Sequence, residues 1–95
     1  MIEEYRMRNR LSVEEVVSTT SNTTVVHGRV YEGSIRVGQK LKSINNEIRV
    51  EVMEIETYRK AMTELKEGWT GTFRLTMEFG KLPNESQTFL EDTDV

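Results

Sequence analysis

At 95 residues, with 36% hydrophobic and 31% charged side chains and a formal net charge of −3, the chain has the composition of one small folded domain. No apolar stretch approaches the roughly 18–20 residues that a membrane-spanning helix needs, and the lack of cysteine excludes disulfides and cysteine-ligated zinc or iron–sulfur sites and fits a reducing, cytoplasmic setting. The acidic balance counts against charge-driven nucleic-acid binding, although a local basic surface remains open.

The first ten residues, MIEEYRMRNR, hold early acids and no apolar core, so they form a lead-in segment rather than a secretory signal. If extended, they set Arg6, Arg8 and Arg10 on one face, and with Arg59 and Lys60 these would make a basic patch. The plainer reading is a solvated lead-in strand. A single domain is expected over residues 11–90, followed by an acidic tail at 91–95.

Val13, Val16 and Val17 mark a first strand over residues 11–19, and the polar run 19–23 is a loop. A second strand over 24–31 folds at Glu32-Gly33 into a return strand holding Ile35 and Val37, which ends at Gly38. Leu41 and Ile44 follow, and Asn45-Asn46 is a hairpin turn, because asparagine tolerates positive φ. Ile48, Val50 and Val52 then alternate with Arg49 and Glu51. The phase slips by one at Met53 and continues at Ile55, which predicts a bulge and the bend that a barrel requires.

Residues 61–66 have room for one helical turn. Beyond them the alternation is unbroken: Trp69, Gly71, Phe73, Leu75, Met77 and Phe79 share one face, and polar residues share the other. Pro83 and Asn84 begin another turn, and residues 88–90 make a short last strand. Short strands with regular turns predict an all-β barrel or sandwich. Val25, Val26, Val30, Ile35 and Val37 are expected to fill it. Trp69 is expected to plug one end, with a role as a partner anchor as the alternative.

The order of the motifs adds a resemblance. An acidic pair lies within a valine strand, Val13-Glu14-Glu15-Val16-Val17. A polar loop leads to Thr24-Val25-Val26-His27-Gly28-Arg29-Val30, then to Glu32-Gly33-Ser34-Ile35-Arg36-Val37-Gly38. Glu56-Thr57-Tyr58-Arg59-Lys60 and Glu67-Gly68-Trp69-Thr70-Gly71 come next. Over roughly residues 11–75 this pattern resembles domain II of elongation factor Tu and related translation factors. The resemblance implies a small six- or seven-stranded antiparallel β-barrel. In elongation factor Tu this barrel helps hold the aminoacylated 3′ end of tRNA, and the resemblance puts such contacts at Glu14, Glu15, Val17, His27, Tyr58 and Arg59. An arginine can pair with phosphate, and an aromatic ring can stack on a free base. The pattern departs from the family at Thr20-Ser21-Asn22-Thr23, which lacks the family loop's positive charge. It departs again at Phe73, which stands in place of a polar residue, and within residues 61–66, which are about three residues longer.

No P-loop is present, so this chain alone is not expected to bind a nucleotide. His27 is the single histidine, with no cysteine and no serine motif to serve. Neighbours on a strand face opposite ways, so Glu14 and Glu15 are not expected to share a substrate. No catalytic residue, metal, cofactor or membrane association is expected. The expected function is a non-enzymatic binding module that contacts RNA, the ribosome or another translation-factor component. The alternatives are a protein–protein interaction or self-associating module that has lost RNA contacts, and a fragment of a larger translational GTPase.

Overall fold

A computed structural model describes residues 9–44, 47–79 and 88–91. Its strands are β1 (Arg10–Thr19), β2 (Thr23–Glu32), β3 (Ser34–Arg36), β4 (Lys40–Ser43), β5 (Arg49–Thr57), β6 (Lys60–Met62), β7 (Glu64–Lys66), β8 (Thr70–Phe79) and β9 (Thr88–Glu91). The strand order β4-β9-β1-β2-β8-β5 closes through a β4–β5 pairing, all antiparallel, into a six-stranded barrel. β6 extends the sheet beyond β5, and β3 and β7 form a separate two-stranded ribbon. The turns expected at Asn45-Asn46 and Pro83-Asn84 lie outside the described residues, as do Arg6, Arg8 and residues 92–95.

Successive rungs across the sheet face alternately in and out, as the pleat dictates. One inner rung runs Val16, Val26, Phe73, Ile55 and Met62 through the registers of β1, β2, β8, β5 and β6. Val26, Phe73 and Ile55 are buried, and Val16 and Met62 pack against the core. The next rung is outward: Glu15, His27, Thr72, Glu56 and Ala61. Leu11, Leu41, Val50, Leu75 and Phe89 complete the buried centre.

The predicted slip at Met53 is present as a register shift between Val52 and Glu54 against β8. The β1–β2 pairing carries three further shifts, one between Arg10 and Leu11 that skips Tyr31 on β2, and two that skip Glu14 and Val17 on β1. The latter two occur where Val13-Glu14-Glu15-Val16-Val17 keeps no period-2 phase, so the bulges hold Val13 and Val16 on the core side.

Four expectations are overturned. Residues 61–66 are not helical. The chain reverses at Tyr58 and Arg59, so Lys60–Met62 pairs with β5 and Glu64–Lys66 pairs with β3. These pairings satisfy backbone groups that a single isolated helical turn would leave largely open. Next, β3 does not return along β2. It leaves the main sheet at Gly33 and finds its partner in β7. Third, Val25 and Val37 do not fill the barrel: Val25 is outward between buried Thr24 and Val26, and Val37 follows β3 onto the surface. Finally, Trp69 is 50% exposed rather than packed inside. It precedes β8 in a turn, where its N–H donates to Lys66 O and its carbonyl accepts from Val30 N, beyond the inner row that starts at Gly71.

Asn9 has a part the sequence did not signal. Its Oδ1 accepts from Ser34 N at 2.9 Å, its Nδ2 donates to Glu91 Oε1 at 2.6 Å, and its carbonyl accepts from Glu91 N. It ties the β2–β3 turn to β9.

Candidate functional site

β1, β2, β8 and β5 raise a groove of about 660 Å³ on the outer face, walled at one end by the β5–β6 turn. Its lining includes Glu14, Glu15, His27, Tyr58 and Arg59, so five of the six residues implied by the family resemblance meet in one place. Val17 does not line it. The second β1 bulge leaves Val17 unpaired and exposed elsewhere on the strand.

The first β1 bulge corrects the reading of the acidic pair. Regular pleating would point Glu14 and Glu15 to opposite faces. The skipped register at Glu14 leaves both exposed and both on the groove. Glu14 Oε2 lies 3.6 Å from Arg29 Nε. His27 is the cross-strand neighbour of both Glu15 and Thr72, and its Nδ1 lies 3.0 Å from Thr72 Oγ1. Thr72 is in turn opposite Glu56 on β5.

Gly28 and Gly71 face each other across β2 and β8 in the groove wall. A Cβ on Gly28 would lie 2.9 Å from Ser12 O, and one on Gly71 would lie 2.9 Å from Glu56 O. Neighbouring backbones therefore pass too close for any side chain at either position.

Tyr58 and Arg59 occupy the two-residue loop between Thr57 and Lys60, with φ of 50° and 64°. Two successive positive φ values in a two-residue hairpin make a type I′ turn, which favours asparagine and glycine. Here it lifts a tyrosine that is 85% exposed and an exposed arginine onto the groove's rim. Strained backbone of this kind recurs at binding sites.

Lys60 is exposed beside this turn. Arg10 is committed elsewhere, 3.2 Å from Glu32 and over the ring of Tyr31. Among the described residues, no group of three or more histidine, cysteine or carboxylate side chains is set to hold a metal ion.

Sequence reasoning missed Glu56, Thr57, Thr70 and Thr72. The outward phase of Glu56, Thr70 and Thr72 was readable from the alternation of β5 and β8, but the adjacency of those strands was not, and Thr57 is buried in the inward phase with its hydroxyl on Thr70 O. A second groove, of about 480 Å³, adjoins the first and shares Glu56 and Thr72 with it. Its lining includes Val25, Val37, Met53, Ala61 and Met62, together with Glu54 and Arg74, whose side chains pair at 3.2 Å.

No protein-family profile matches the chain. Over 58 residues, 61% of its length, it is 38% identical to elongation factor Tu 2 of Streptomyces avermitilis, and the match spans 15% of that protein. The solved structure of translation elongation factor SelB from Methanococcus maripaludis, in its apo form, superposes with a TM-score of 0.73 at 20% identity over 94% of this chain. GDP-bound aIF5B from Aeropyrum pernix superposes with a TM-score of 0.76 at 17% identity over 90%. The barrel has the fold of an elongation factor Tu-like domain II. It corresponds to 21% of the SelB chain and 15% of the aIF5B chain. Among the described residues, no helix is long and apolar enough to cross a membrane.

Proposed function

We propose that this translation-factor-like barrel is a non-enzymatic binding module that docks a component of the translation machinery in the groove bounded by Glu14, Glu15, His27, Tyr58 and Arg59. The observation that carries this reading is the convergence of residues from β1, β2 and the β5–β6 turn on a single groove. The turn supports it further, since positive φ costs more at a tyrosine and an arginine than at the asparagine–glycine pair that would close the same hairpin. Binding is favoured over catalysis because His27 and Thr72 sit on an exposed rung. A histidine–hydroxyl pair open to water, with no carboxylate bonded to the imidazole among the described residues, is poorly placed to make a nucleophile. The groove can serve in this way whether the barrel acts alone or within a longer translation factor.

The test is co-sedimentation of the protein with ribosomes, and filter binding to tRNA, at low salt. Binding to one of them is expected, weakened about tenfold by the double substitution Tyr58→Ala with Arg59→Ala. Failure to bind either, or binding indifferent to the double substitution, overturns the reading.

A further inference from the structure

We infer that the two adjoining grooves form one docking trough for an extended peptide segment of a protein partner, apolar toward the second groove and basic toward the first. This rests on the binding-module reading above and names the partner's chemical class. The second groove carries the inference. Val37 and Met53 are exposed, Val25 and Met62 half-buried, and all four line one depression. Apolar surface gathered in a concavity is stabilised by apolar side chains from outside, and methionines adapt to varied shapes. β6 ends the sheet beside this depression, so an extended chain lying there meets a strand edge as well as a pocket.

Charge decides which end is which. The second groove opens into the first across Glu56 and Thr72. Of the three carboxylates lining the first groove, Glu14 is opposed by Arg29, and Glu54 in the second by Arg74. Glu15 and Glu56 have no ion-pair partner among the described residues, and Arg59 is the one lysine or arginine in the first groove's lining. A polyanion would meet more carboxylates than cations here, whereas affinity for a nucleic acid grows with the number of phosphates neutralised. A lysine or arginine following apolar residues suits both halves of the trough.

The experiment screens the full chain against an array of random peptides of about ten residues, beside a single-stranded RNA of similar length. Bound peptides are expected to be enriched in valine, leucine, isoleucine or methionine next to lysine or arginine, and to bind about tenfold tighter than the RNA. Met53→Glu and Glu56→Lys alter exposed side chains and should each weaken the selected peptides about tenfold without changing the melting temperature. No enrichment, enrichment in acidic peptides, tighter binding of RNA, or indifference to both substitutions overturns the inference. If peptides fail while ribosome or tRNA binding persists, only the partner class is wrong. If both fail, the binding-module reading falls with it.

Discussion

Two bends in this barrel redirect the chain through left-handed backbone using different materials. Between β2 and β3 the residue is Gly33, at φ 70°. Its N–H donates to Glu67 Oε1, and the space a Cβ would need is filled by Asn9, which also receives Ser34 N–H. Between β5 and β6 the residues are Tyr58 and Arg59, with side chains that point to solvent. The first turn is determined from within, by crowding and hydrogen bonds, and it redirects β3 out of the main sheet. The second closes the β5–β6 pairing with residues more strained there than an asparagine–glycine pair would be, by roughly 1 kcal/mol or more. Positive φ is therefore fixed by internal contacts in one place and borne by residues with exposed side chains in the other.

Gly33→Val should have the largest effect. A branched side chain at φ 70° is both strained and in collision with Asn9, so a loss of about 3 kcal/mol is expected in denaturant unfolding. A loss under about 1 kcal/mol would mean that the turn relaxes freely and is not fixed from within. Asn9→Ala removes the acceptor for Ser34 and the donor to Glu91, and should cost about 2 kcal/mol. If it proves neutral, the clamp contributes nothing. Replacing Tyr58 with asparagine together with Arg59 by glycine should move the other way. It should raise stability by about 1 kcal/mol while weakening ribosome or tRNA binding about tenfold. A destabilised double variant would show that the pair is structural after all. Smallest of all, Glu54→Ala breaks an exposed pair with Arg74 and should change unfolding by less than about 0.5 kcal/mol. A larger change would show that the outer face between the grooves has a structural part.

The sequence made β8 legible because Phe73, Leu75 and Met77 keep one phase throughout, and it made the β5 bulge legible because the phase changes once, at Met53. β1 was harder. In Val13-Glu14-Glu15-Val16-Val17 two bulges fall within five residues, so no single alternation survives, and the shared exposure of Glu14 and Glu15 could not be read off. Ala61, Met62, Glu64, Leu65 and Lys66 are good helix formers, yet long-range pairing with β5 and β3 overrides that preference. Trp69 misled for a related reason: it shares the phase of Phe73 but lies before the strand, in a turn that local sequence does not place. The groove was half legible. The resemblance pointed to its β1, β2 and turn residues, whereas Glu56 and Thr72 joined them only once β8 was known to lie between β2 and β5.

β9 is four residues long, yet it bridges β1 and β4. Residues 88–91 thus couple the two ends of the strand order, and everything before them forms an open sheet. On a ribosome these residues are made last among the described strands. Until they emerge from the exit tunnel, β1 and β4 each hold a bare edge toward the other, at the stage when a nascent chain is most prone to pair wrongly. Closure is then a long-range event that joins the first described strand to the last, so the barrel should fold slowly for its size. It should also depend on chaperone protection for longer than a domain whose contacts are local.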